Sequence, residues 1–222
     1  MSSRTTFSFR AMLFVLGFAF GLPVGAVEQQ TVKEDKSHVR TWNDFANDLV
    51  KLHKRQIQDR DIDKKTQVGG YANHPDFFVQ EEYVDKKSGK LLSRLQWEKE
   101  KSENIHSIEV FVYDDQGRVL RDYSASYLPN YRNAPSQTLI FLHNYNDGVH
   151  AFRSFDASGE LIFERCQGTF KGEEFDMRLD EDELDDARYE KREFNKGVMT
   201  TPKYQHCFGD LDETADLYLQ PN

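Results

Sequence analysis

Two hydrophobic periods divide the chain. Residues 27–40, "VEQQTVKEDKSHVR", show neither and read as a flexible polar leader. From Trp42 onward apolar positions recur at helical spacing. Trp42, Phe45, Ala46, Leu49, Leu52 and His53 share one face, and Asn43, Asp48, Lys51 and Lys54 fall on the other. That spacing predicts an amphipathic helix. Thr41 is placed to cap it, Asp44 to reach back as in a capping box, and the end falls near Arg60. The stretch "KKTQVGGYANHP", residues 64–75, reads as a loop because Gly69, Gly70 and Pro75 break regular structure.

From Phe77 the period becomes two. Alternating runs at 77–85, 91–100, 105–113, 118–128, 137–155 and 155–166 predict an antiparallel meander of about seven or eight strands. The longest loop within it is 129–136, and Asn146-Asp147-Gly148 marks a hairpin tip. Two of the strands are apolar on both faces. Ile108, Val110 and Val112 oppose Phe111 and Tyr113, and Ile140 and Leu142 oppose Leu139 and Phe141. Both faces of such strands need cover. The helix supplies one. The other calls for barrel closure, a second layer, an apolar ligand or a partner protein, and Phe111, Tyr113, Leu139 and Phe141 are the candidate contact residues.

One turn device recurs. Asp85 precedes Gly89, Asp114 precedes Gly117 and Asp156 precedes Gly159, each between strand-type runs. Aspartate starts a turn by accepting from nearby backbone N–H groups, and glycine takes the positive φ at the exit. "YDDQGRV" and "FDASGEL" thereby resemble the tyrosine–aspartate repeats of large secreted shell-forming toxins. The glycines are separated by 28 and 42 residues, which does not suit a regular solenoid, and no function is carried over.

Past the strands, "LDEDELDDARYEKREFNKG" at 179–197 reads as a surface helix, with acids early, Lys191, Arg192 and Lys196 late, and Gly197 as a stop. Its acids, Asp180 to Asp186, lack the alternate spacing and the glycine of a Ca²⁺ loop. A tail follows, with Cys207 to hold it.

The N-terminus adds a destination. Arg4 and Arg10 precede the apolar run "AMLFVLGFAFGL", and Val24 and Ala26 suit a cleavage site. Residues 1–26 therefore predict a secretory signal, too short for a membrane span. Cleavage near Ala26 would leave a soluble periplasmic or extracellular protein, without stable membrane insertion. Those two arginines are the only charges before Val27. Subtracting them from 29 Lys+Arg leaves 27 against 38 Asp+Glu, a formal charge of −11. Such a chain repels phosphate backbones, so nucleic acid is a poor partner.

Export changes the meaning of the two cysteines. An even count in an oxidising compartment predicts a bond between Cys166 and Cys207. His143 and His150 flank the hairpin tip. They lie directly opposite if Asn146-Asp147 form the turn, and diagonally if Gly148 makes a bulge, so they are the candidates for a metal pair. Glu81 and Glu98 are a possible carboxylate pair across strands. No nucleophile elbow, zincin motif or phosphate-cradling loop is present, and no cofactor is expected.

The expectation is an α+β fold, with an N-terminal helix on a curved meander over 41–222. A sheet that curls enough becomes a half-open barrel, the broad build of envelope lipoprotein carriers. The expected role is a non-catalytic exported accessory protein that acts through an envelope protein partner. The alternatives are a carrier of an apolar small molecule in the concavity, and a hydrolase with dispersed acids.

Overall fold

The computed structural model describes residues 36–129, 135–180 and 197–211. Helix α1 (Lys36–Ile57) precedes nine strands: β1 (Ile62–Tyr71), β2 (His74–Asp85), β3 (Leu91–Glu98), β4 (Ile105–Tyr113), β5 (Val119–Tyr127), β6 (Pro135–Asn146), β7 (Val149–Phe155), β8 (Leu161–Phe170) and β9 (Glu173–Asp180). A short helix, α2 (Pro202–Phe208), follows. The strands form one antiparallel sheet in sequence order, β1 through β9. Among the described residues it is an open meander and not a closed barrel, so the fold is mostly-β α+β, with nine described strands against the seven or eight expected.

Helix α1 buries the stripe that its spacing predicts. Phe45, Ala46, Leu49, Leu52 and His53 are buried and Trp42 packs at the margin. They meet Leu95, Ile108, Val110, Tyr123, Ala125, Ile140, Leu142 and Phe155 from β3 to β7. Each large apolar side chain buried there contributes about 1.5–3 kcal/mol. The helix begins at Lys36, so residues 36–40 of the expected leader are helical and Thr41 lies inside the first turns, not at a cap. Nothing in 36–40 breaks a helix, and half-buried Val39 extends the stripe by a turn. The expected signal (1–26), leader residues 27–35 and most of the helix at 179–197 lie outside the described residues. Leu179 and Asp180 themselves end strand β9.

The expected loop at 64–75 is instead strand β1 and the turn into β2. Its pairing with β2 runs from Ile62↔Asp85 to Tyr71↔His74, with a bulge between Gly69 and Tyr71. The glycines serve that bulge. A Cβ on Gly69 would meet the Phe78 ring at 2.6 Å, and one on Gly70 the His74 carbonyl at 2.0 Å.

The aspartate turns join β2–β3, β4–β5 and β7–β8. Asp114 Oδ1 accepts from Gln116 N at 3.0 Å and Arg118 N at 2.8 Å. Asp156 Oδ1 accepts from Ser158 N and Glu160 N at 2.7 and 3.0 Å. Gly89, Gly117 and Gly159 take φ of 70°, 83° and 89°. This is turn chemistry used three times.

A second core lies beside the first. Tyr204, Cys207 and Phe208 of α2 pack with Val149, Ala151, Cys166 and Leu179. Thr201 caps this short helix, its hydroxyl accepting from Tyr204 N at 3.2 Å. The Cys166–Cys207 disulfide ties it to β8, with Cα atoms 6.0 Å apart. Beneath α2, Arg153 Nε donates to Glu164 Oε1 at 2.5 Å and the Tyr204 hydroxyl donates to Glu164 Oε2 at 2.9 Å.

Candidate functional site

Helices α1 and α2 cover the same face of the sheet. Cross-strand pairing shows this: Leu95↔Ile108, Ile108↔Ala125 and Tyr123↔Ile140 lie under α1, and Ala151↔Cys166 lies under α2. Among the described residues, no helix lies over the opposite face. Its residues alternate with the core positions, so the register assigns every one of them.

The β4–β9 part of this open face is aromatic toward its β6–β8 centre. Phe111, Asp122, Phe141, Ser154 and Phe163 form one cross-strand row. Phe141, Phe152 and Phe163 pack edge to face with centroids 5.6–6.0 Å apart. Of the expected contact residues, Phe111, Leu139 and Phe141 lie on this face and are half-buried. Tyr113 sits at a register shift at the end of β4, where its hydroxyl donates to the Leu91 carbonyl at 2.7 Å.

His143 and His150 share this part. The turn is Asp147-Gly148, with Asn146↔Val149 as its last pair, so His143 faces Phe152 and His150 faces Tyr145. The histidines are diagonal neighbours. Their rings stack at 5.2 Å, and His150 stacks on Tyr145 at 4.6 Å. Arg118 lies over Tyr145 at 4.6 Å. His143 Nε2 donates to Asp122 Oδ1 at 2.5 Å. Its Nδ1 is 2.9 Å from His150 Nε2. Burial, then the neighbouring His143 and Arg165, lower the pKa of His150 and favour its neutral form. The linked His150, His143 and Asp122 side chains orient one another. Both nitrogens of His143 are engaged, and among the described residues no group of three or more His, Cys, Asp or Glu is arranged to hold a metal.

The β1–β6 half is polar. Arg94 bridges Glu82 at 3.1 Å and Glu109 at 2.7 Å. Beside this charged row runs an uncharged one, joined by hydrogen bonds from Gln96 Nε2 to Gln80 Oε1 at 3.0 Å and from Ser107 Oγ to Gln96 Oε1 at 2.9 Å. An extra residue between Ile105 and Ser107, where β4 bulges against β3, places His106 beside Ser107. The Tyr71 hydroxyl hydrogen-bonds His106 Nε2, so the end of the β1–β2 hairpin leans over this face. A groove of about 560 Å³ lies between Tyr71 and the strands, reaching Gln137 and Leu139 of β6.

Glu81 and Glu98 do not converge. Glu81 faces the helix side, with Lys64 Nζ at 2.5 Å and Trp97 Nε1 at 3.1 Å. Glu98, one position on from Trp97 and on the other face, accepts from Asn104 Nδ2 at 3.2 Å. The sequence reading does not anticipate Tyr71, His106, Asp122, Phe152, Phe163 or the glutamine–serine row as site residues. Asp122, Phe152, Phe163 and the row members on β2 to β6 are outward members of alternating pairs, a signal that acquires meaning only once the register is known, whereas Tyr71 follows the β1 bulge and His106 is the extra residue of the β4 bulge, so no alternation points to either. Compared with known proteins, the chain matches no family model, no curated protein and no solved structure.

Proposed function

We propose that this chain is an exported, non-catalytic accessory protein that docks a partner protein on the aromatic half of its open sheet face. One observation carries the reading. Two helices roof one face of the nine-stranded sheet, while the other presents Phe141, Phe152, Phe163, Tyr145 and His150 half-buried with no described element against them. Charges rim the patch: Arg178 lies over Phe163 at 5.3 Å, and Arg165 pairs with Asp176 at 2.7 Å. An aromatic centre with a charged rim is the anatomy of a protein–protein interface. A carrier of an apolar ligand has less support, because the groove is floored by carboxamides and hydroxyls that an acyl chain would leave unpaired. The hydrolase reading has less too, since Glu81 and Glu98 sit on opposite faces.

Photo-crosslinking in the native cell tests the proposal. A benzoylphenylalanine in place of Phe163 should give one discrete protein adduct, and adding Phe152→Ser should abolish it. The same probe at Lys171, in the β8–β9 turn, should give none. Equal adducts from both positions would overturn the reading.

A further inference from the structure

The uncharged row crosses six strands. Gln67, Gln80, Gln96, Ser107, Ser126 and Gln137 are successive cross-strand partners from β1 to β6. Strand pairing sets such side chains about 4.8 Å apart. The inner members, Gln80 to Ser107, are already hydrogen-bonded to one another, which fixes their carboxamides before any ligand arrives. Ser126 and Gln137 make no side-chain hydrogen bond within the described residues and face the groove. Tyr71 forms the opposite wall. Contacts with Phe77, Phe78 and His106 hold its ring, yet the residue is 52% exposed.

We infer that this groove binds a neutral linear glycan, laid across β3 to β6 over Gln96, Ser107, Ser126 and Gln137. Three features select that class. No lysine or arginine lines the groove, and its acid, Glu109, is neutralised by Arg94 at 2.7 Å, so an anionic sugar finds no counter-charge. The floor offers paired donors and acceptors at a regular spacing, as a repeating polyol requires, and an acyl chain would strand them. The backbone groups of β3 to β5 are consumed by pairing on both sides, so a peptide could not bind there by strand addition. The Tyr71 ring is positioned to stack on the C–H face of a pyranose, and a held ring loses little entropy on binding. The volume suits an oligosaccharide and not a monosaccharide alone. The groove does not include Phe141, Phe152 or Phe163 of the docking patch, although both sites draw on β5 and β6.

Isothermal titration of the full exported chain provides the test. The probes are cellohexaose, mannohexaose and maltohexaose, with a galacturonic acid hexamer as the anionic comparison. At least one neutral hexaose should bind saturably, and the uronate should not. Tyr71→Ala and Gln137→Leu should each weaken binding about tenfold, the loss expected for one stacking or hydrogen-bonding contact. Ser126→Ala, which removes one hydroxyl that makes no hydrogen bond among the described residues, should weaken it in the same direction. Phe152→Ser should leave it unchanged, which separates this site from the docking patch. Absence of binding to all three neutral probes, equal binding by the variants, or preference for the uronate would overturn the inference.

Discussion

Cys166 lies in the middle of β8 and Cys207 in the last turn of α2, and their bond is fully buried between the two elements. Helix α2 has only seven residues, too few to be stable by itself. Its place depends on the bond and on Tyr204 and Phe208. Closing a loop with a sequence separation of 41 stabilises by about 3–4 kcal/mol in the chain-entropy account. The paired variant Cys166→Ser/Cys207→Ser should lose about that much in urea denaturation. Limited proteolysis should cut near α2 before the sheet yields. Simultaneous loss of sheet and helix would show that α2 is not a separable unit.

The buried ion pair beneath α2 should behave asymmetrically. Arg153 and Glu164 are 4% and 1% exposed, and Tyr204 bonds the same carboxylate. Glu164→Ala leaves a guanidinium buried and uncompensated, so it should cost about 3–5 kcal/mol. Arg153→Met with Glu164→Leu removes both charges and should recover most of that loss. A double-mutant cycle reads the coupling directly. A double variant no more stable than Glu164→Ala would show that the pair does more than neutralise itself.

The helix α1 stripe and the strands from β2 to β8 were legible because each buries one side, and burial writes a period into the sequence. Strand β1 was not. It is an edge strand whose residues are nearly all exposed, so "IDKKTQVGGY" has no alternation to read, and its Gly69-Gly70 bulge mimics a loop. Strand β9 does alternate, through Phe175, Met177 and Leu179, but the acids that follow draw the eye to a helix. For the site, the limiting quantity was register. Moving the hairpin tip by one residue changes His143 and His150 from opposite to diagonal, and the six-strand polar row is invisible until the pairs are known.

Chelation should leave the fold intact. His143 spends Nε2 on Asp122 and Nδ1 on His150, so neither ring nitrogen is open to a metal. Excess EDTA should therefore shift the melting temperature by less than about 2 °C, the equivalent of about 0.5–1 kcal/mol for a chain of this size. A larger drop, reversed by zinc or copper, would mean that the pair rearranges to bind one.

His53 gives the stability a pH dependence whose sign is fixed. Its ring is buried under α1, with Nδ1 2.7 Å from Ser93 Oγ and an edge against Tyr83 at 4.6 Å. Burial lowers its pKa from 6.5 to about 4, with Lys54 and Lys64 acting in the same direction and Glu81 opposing. Between those values the unfolded chain binds a proton that the folded chain refuses. Stability from this group is thus complete above pH 6.5 and is lost as pH falls toward 4. His53→Gln keeps a polar partner for Ser93 and cannot titrate. Urea midpoints measured at pH 7.5, 5.5 and 4 should fall more steeply for the wild type than for the variant. Parallel slopes would place the acid sensitivity elsewhere, with Glu81 the next group to test. Its carboxyl is held below the usual range, against burial, by Lys64, Tyr83 and Trp97.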